Sequence, residues 1–293
     1  EFSHVFSALG TEVTQINRSS RMLRNVDAEV VGRFEEAASK QWNIVKNVGL
    51  SEIRENADGS VTVVAMRTTE NGEEVLEIPA DAVLVATGRR PNTDVLNAKN
   101  YFDVQDGGLL SVDKYQRVLY NGAPVPGVFA LGDVSSRYQL KHVANHEARV
   151  VQYNLSHPED LRASDHRYVP GAIFSNPQIA FVGLTEEQAR EAAAREGFEI
   201  TVKAQNFGDT AYGWAMEDQI GLCKLIARKD NGELLGAHLV GEESSVLIQP
   251  LIQAMSFSQD ARTLARGQYW IHPALTEIVE NALLGLEFDE PVN

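Results

Sequence analysis

An α/β organisation that gives way to α+β toward the carboxyl end is the fold class this sequence predicts, and three observations predict it. The 293 residues are 43% hydrophobic, which suits a folded chain long enough for two domains. Apolar positions switch between the 3.6-residue period of helices and the alternation of strands, in sequential blocks. A polar stretch with two prolines, SHPEDLRASDHRYVP, separates two regions of different rhythm.

The elements follow in order. EFSHVFSALG carries Phe2, Val5, Phe6 and Leu9 at helical spacing and closes on Gly10, which predicts a helix packed on a core from residue 1 onward. A domain rarely begins that way. The chain therefore reads as a piece of a longer protein, starting inside a strand, helix, strand unit whose next strand is TEVTQI, and no targeting signal can be read from it. DAEVVGRFEEAASK predicts a helix capped by Asp27. NIVKNVGLSEIREN, SVTVVAMRTTE and EEVLEI, joined at Asp58-Gly59 and Asn71-Gly72, predict a three-stranded antiparallel meander. DAVLVATGRRPNT predicts a buried strand ending in a glycine turn, VFALGDV another buried strand, and HVANHEARVVQYNL a helix.

Beyond the polar stretch, strands are predicted around AIFSNPQIAFVG, EITVKAQNF, GLCKLIARK and LLGAHLVG. Between them LTEEQAREAAAREG is a helix whose Thr185 and Gln188 fit a capping box. SSVLIQPLIQAMSF is a second helix, kinked at Pro250. Near the end Pro273 suits the first position of a last helix, with Leu275, Ile278, Val279, Ala282 and Leu283 as its apolar stripe.

Charge and cysteine content narrow the function classes. A net charge of -15 repels phosphate backbones and anionic lipid, and the longest apolar runs are strand-length, so neither nucleic acid nor membrane is expected as a partner. The single cysteine, Cys223, forbids an intrachain disulfide and a multi-cysteine metal site, and within GLCKLIAR it reads as a buried structural thiol.

Four stretches could carry chemistry. In YWIHPALTE, His272 is not a favoured cap residue, and Glu277 could orient its ring as an acid/base pair; the bland alternative is helix initiation alone. In VFALGDV, Gly132 and Asp133 place a carboxylate at a strand end, where α/β proteins bind ligands and where Asp can hold a ribose or ribityl hydroxyl; an ordinary strand-ending turn is the alternative. In ATGRRPN, Gly88 would let backbone approach a ligand, while Arg89 and Arg90 could be solvated turn residues. In INRSSRMLR the position where NAD-preferring folds keep an acid holds Asn17, and Arg18, Arg21 and Arg24 follow. Such a basic knot favours a 2'-phosphate, hence NADPH, over a merely solvated helix start. His142, His146 and Glu147 suggest no metal site, because the sequence offers no third ligand for the two histidines.

Taken in order, the glycine-ended helix, the arginine knot, ATGRRPN, VFALGDV, GLTEEQA, GAHLVG and WIHPALTE resemble the flavin-dependent pyridine nucleotide disulfide reductases nearly end to end. The resemblance implies three parts. These are an incomplete Rossmann-like NAD(P)H-binding domain over 1–97, lacking its first strand and glycine fingerprint, a second part of the FAD domain over 98–160, and an α+β dimerisation domain over 161–293. It implies a cytoplasmic homodimer with FAD and NADPH as cofactors and a small-molecule disulfide as substrate. Asp133, beside Gly132, matches the acid that binds the ribityl chain, and Leu140, Lys141 and His142 the helix start beneath the flavin ring. Gly88 falls in a turn close to the dinucleotides, and Arg18, Arg21 and Arg24 fall where the 2'-phosphate is bound. His272 and Glu277 match the pair that serves the redox disulfide of the other subunit. The family's flavin fingerprint and redox cysteine pair have no counterpart in this sequence, so the chain is expected to be inactive alone. An NAD-preferring member of the family, or a cofactor-free dimerisation module, remains as an alternative.

Overall fold

The computed structural model describes residues 1–69 and 72–289. They form two compact units, one built from 1–83 together with 170–293 and the other from 84–169.

The first segment opens with α1 (Phe2–Ala8) and β1 (Thr14–Asn17), followed by α2 (Ala28–Ala38) and β2 (Asn43–Lys46), which lies parallel to β1. This is a strand, helix, strand crossover. The α1 helix forms, but its apolar face is open: Phe2 is 58% and Leu9 78% exposed. The spacing that predicted a packed helix fixes which residues share a face, not what covers it. No described element lies over that face, although Ser7 is tied by its Oγ to the carbonyl of Gln41.

β3 (Val48–Glu55), β4 (Val61–Thr69) and β5 (Gly72–Ala80) form the expected antiparallel sheet, in the order β3-β4-β5. The first expected strand is divided, however. Asn47 adopts φ of 59°, which turns the chain so that 43–46 join the parallel pair and only 48–55 the meander. Asp58 and Gly59 make the first hairpin; the other turn residue, Asn71, lies outside the described residues.

The predicted buried strand at 81–88, which runs from the first unit into the second, is absent: Val85 is 62% exposed and no described strand pairs with it. An apolar run becomes a strand only when a neighbour takes up its backbone N–H and C=O groups, and none is present. β6 (Arg117–Tyr120) and β7 (Ala123–Phe129) form a hairpin, so the VFALGDV strand ends earlier than expected and is only half-buried. Gly132–Val134 make a 3-10 turn, and α3 (Lys141–Ser156) follows as predicted.

The remaining segment builds a five-stranded antiparallel sheet in the order β10-β11-β12-β9-β8, from β8 (Gly171–Ile173), β9 (Gln178–Gly183), β10 (Ile200–Asn206), β11 (Leu222–Arg228) and β12 (Leu234–Gly241). α4 (Glu186–Glu196) carries the predicted capping box and ends on Gly197 in the left-handed conformation. A short α5 (Ala211–Ala215) follows β10. The predicted kink at Pro250 is a break into α6 (Ser244–Leu247) and α7 (Gln249–Ser256), with the proline at the start of the second. α8 (Ala261–Arg266) and α9 (Glu277–Leu284) complete the chain; α9 starts four residues later than expected, after turns over 272–276. Cys223 is fully buried in β11, and burial pushes its thiol pKa up, as a structural cysteine requires.

One face of this sheet holds α2, whose Val30, Val31 and Phe34 share a core with Ile179, Leu222 and Val240. Beside that core Lys224 and Asp27 form a buried ion pair, with the more exposed Glu29 and Glu186 at its edge. Lys224 Nζ is 3.0 Å from Asp27, 3.1 Å from Glu29 and 2.7 Å from Glu186. Asp27 also caps α2 and accepts the Glu186 N–H, while its own N–H donates to Nδ1 of buried His238, whose Nε2 donates to the Leu184 carbonyl. Burial alone would raise the Asp27 pKa, but the Glu186 N–H and Lys224 outweigh it and hold the carboxyl low; burial likewise lowers the His238 pKa. Both folded pKa values are depressed, so both contributions are complete at high pH. That of His238 starts to fade near the free value of about 6.5, and that of Asp27 in the carboxylate range below it. Lys224→Met leaves these carboxylates without their cation, and urea unfolding at pH 7 is expected to show a loss of about 3–5 kcal/mol. A loss below about 1 kcal/mol would place the pair among surface ion pairs instead.

Candidate functional site

At the carboxyl end, the turns over 272–276 set the His272 ring against α9. Its Nδ1 lies 2.8 Å from Oε1 of Glu277, the first residue of the helix. A carboxylate only accepts, so Nδ1 carries the hydrogen and Nε2 is left for another partner. The histidine side chain is 68% exposed and the glutamate 18%, so the carboxylate anchors a ring that faces outward. Trp270 is held by a bond from its Nε1 to the Ala265 carbonyl, whereas Tyr269 and Ile271 stand exposed.

At the end of β1, the Asn17 amide donates to the carbonyls of Ser19 (2.8 Å) and Arg21 (3.3 Å), and the Met22 N–H donates to Glu35. These bonds coil the loop, with Met22 buried beneath it and Arg18 and Arg24 exposed. No ion pair involves Arg18, Arg21 or Arg24 among the described residues; Arg21 donates to the Arg24 carbonyl. Glu35, the nearest acid in these bonds, is neutralised by Lys46 at 2.7 Å. Concentrated positive charge without an internal partner fits a phosphate monoester.

The second unit brings Arg89 of ATGRRPN to the Gly132–Asp133 turn, two motifs that the sequence left separate. Gly132 has φ of 68°, and a Cβ there would meet the Ala144 Cβ at 3.2 Å, so the turn sits directly against α3. Asp133 projects from it and meets Arg89 Nη1 at 2.6 Å. Arg89 is thus a solvated turn residue that also pairs with the carboxylate, in an ion pair whose two side chains are 62% and 43% exposed. Gly88, at φ of 141°, supplies the left-handed-side backbone that precedes it. α3 has no side-chain cap: Leu140 precedes it in extended conformation, and Lys141 and His142 begin its exposed first turn. A carboxylate able to accept hydroxyls and an uncapped helix start, both in one small unit, fit the polar chain and ring of a flavin.

Residues 1–148 match the family described as pyridine nucleotide-disulphide oxidoreductase, and residues 169–283 match the dimerisation domain of the same group. The chain belongs to the pyridine nucleotide-disulphide oxidoreductases. It is 52% identical over 291 residues to mycothione reductase of Mycobacterium tuberculosis, covering 98% of this chain and 60% of that protein. To dihydrolipoyl dehydrogenase of Synechocystis sp. it is 33% identical over 283 residues, or 96% of this chain and 59% of the other. Among solved structures, the HOCl-induced flavoprotein disulfide reductase RclA from Escherichia coli superposes with a TM-score of 0.82 at 26% identity, over 97% of this chain and 61% of that one. The chain thus spans about three-fifths of the length of the relatives it matches.

Two groups beside the Gly132–Asp133 turn escaped the sequence. Glu147 entered only through a metal reading, yet its carboxylate is 1% exposed and bonded to the Gly132 N–H and to His166. His166 was not singled out at all. No local pattern signals either contact, because 15 and 19 residues separate the partners. Among the described residues no group of three His, Cys, Asp or Glu side chains is placed to hold a metal ion, and no helix is long and apolar enough to cross a membrane.

Proposed function

We propose that the intact protein is an NADPH-dependent, FAD-containing reductase of a small-molecule disulfide, with mycothione as substrate, and that it acts as a homodimer. The His272–Glu277 bond carries this reading, because it presents an oriented Nε2 on an exposed surface rather than in a core. The substrate assignment rests on the 52% identity to mycothione reductase, and the cofactor assignment on Asn17 and the arginines that follow it.

In this reading 1–97 bind the nicotinamide nucleotide, 98–160 complete the flavin site and 161–293 pair two subunits. Arg18, Arg21 and Arg24 take the 2'-phosphate. Gly132 and Asp133 accept the ribityl hydroxyls, the Gly88 turn lies close to the dinucleotides, and Leu140, Lys141 and His142 present the α3 start to the ring. When bound, the flavin passes electron pairs from nicotinamide to a redox disulfide. His272 then serves the neighbouring chain: its Nε2 takes the proton of one thiol of the reduced pair, the resulting thiolate attacks one substrate sulfur, a mixed disulfide forms, and the substrate S–S bond breaks. The departing thiolate takes the proton from Nε2 of His272 while Glu277 holds the ring in place and stabilises its positive charge. Assaying the full-length protein with mycothione, glutathione disulfide and lipoamide tests the substrate. A kcat/KM for mycothione at least about tenfold above the others is expected, and a preference for lipoamide would move the protein to the dihydrolipoamide dehydrogenases.

The 293-residue chain by itself is expected to be colourless and catalytically silent but dimeric. Its single cysteine cannot form the redox pair, and the 81–88 segment lies open instead of in a sheet. Val246, Phe257 and Ile271 meanwhile expose the apolar surface a partner would cover. A stoichiometric flavin spectrum from the purified chain, or a monomer at high micromolar concentration, contradicts this.

A further inference from the structure

A second carboxylate stands behind Asp133, and its surroundings assign it work. Glu147 lies inside α3, and a carboxylate so placed is costly unless its oxygens are occupied. One oxygen accepts the Gly132 N–H at 2.6 Å and the other faces His166 Nε2 at 3.0 Å. Since a carboxylate only accepts, His166 presents an Nε2–H. The His166 ring is itself held, with the Tyr138 ring tilted against it at 5.5 Å and the His146 ring edge-on at 6.2 Å.

The bond to Gly132 is the informative one. Gly132 has left-handed backbone that other residues adopt only with strain, and it directly precedes Asp133 in the 3-10 turn. Fixing its N–H therefore fixes the direction in which the next side chain leaves the turn. Ala144 closes the same turn from α3, so the glycine is gripped by packing and by a charge-assisted bond from one helix. Glu147 accepts from the Gly132 N–H and faces His166, whose side chain is 29% exposed, so both contacts tie α3 to other segments rather than to its own turns.

We propose that Glu147, braced by His166, is a positioning residue that sets the Asp133 turn before a polyol chain such as the ribityl of a flavin reaches it. This rests on the flavin role proposed for Asp133. Neither Glu147 nor His166 touches the cofactor in this account; they act through the Gly132 N–H.

Amide exchange followed by NMR on the 293-residue chain reads the turn without any cofactor. In Glu147→Ala, exchange at Gly132 is expected to quicken at least about tenfold, with Val150 and Val151 in α3 unchanged, as loss of one charge-assisted bond requires. Should that variant fail to fold, Glu147→Gln retains volume and an acceptor, and exchange at Gly132 should quicken only severalfold because a neutral acceptor binds more weakly. His166→Asn should fall between wild type and Glu147→Ala. In the full-length protein Glu147→Ala should weaken FAD about tenfold and leave binding of 2',5'-ADP unchanged. Unchanged exchange at Gly132 in the glutamate variants, or equal acceleration throughout α3, overturns the proposal. If Asp133→Asn leaves FAD affinity intact while Glu147→Ala still loosens Gly132, the flavin role of Asp133 fails and the fixing of the turn stands.

Discussion

His272→Ala in the intact protein is expected to slow disulfide reduction by about 10²- to 10⁴-fold, the range general acid catalysis contributes. NADPH oxidation by ferricyanide, which needs no protonated leaving thiolate, should remain within about twofold of wild type. That split separates a proton donor from a residue that merely starts α9, since structural damage would lower both rates. Glu277→Gln should produce a smaller loss of the same kind. It keeps the shape and a hydrogen-bond acceptor 2.8 Å from Nδ1 but removes the negative charge that stabilises the ring once it is protonated. Equal slowing of both assays would show that the pair is structural.

The second large effect concerns the loop after β1. Arg18→Ala combined with Arg24→Ala should weaken NADPH about 10²-fold, because each arginine removed is one charge-assisted bond of roughly 1.5–3 kcal/mol to the 2'-phosphate. NADH, lacking that phosphate, should lose less than about threefold. Titration of 2',5'-ADP against 5'-AMP gives the same contrast without turnover. The loop itself should survive, since the Asn17 amide and Glu35 hold it through bonds that involve neither mutated side chain. Equal losses for both nucleotides would show that these arginines are not the phosphate site.

Much of the architecture was legible because its causes are local. Asp27 caps α2, Thr185 and Gln188 close a capping box, and Pro250 interrupts a helix through groups within a few residues of one another. Cys223 could be placed in a buried strand from its neighbours alone. Elements that depend on distant partners were not legible. The run at 81–88 has strand composition but no ladder, and the face of α1 has helical spacing but no cover. A residue as innocuous as Asn47 reassigns four residues from one sheet to another by a positive φ. The Lys224 cluster with its His238 neighbour joins groups up to 211 residues apart, beyond the reach of any periodicity.

The site divides in the same way. His272 and Glu277 are five residues apart, and their pairing could be expected from one short stretch. The meeting of Arg89 with Asp133, and the bond from Gly132 to Glu147, depend on how loops and α3 are folded over one another. Charge type alone could not have revealed that the solvated Arg89 reaches Asp133.

We propose that His272 acts on the disulfide of a neighbouring subunit. It can be tested with mixed dimers of the full-length protein, in which one subunit carries His272→Ala and the other has its redox cysteine pair replaced by serine. If the histidine serves across the dimer, the cysteines of the first subunit meet the intact His272 of the second, and roughly half of wild-type disulfide reductase activity is expected per dimer. If each histidine serves its own chain, no competent site exists and the mixed dimers will be as inactive as the two parental variants.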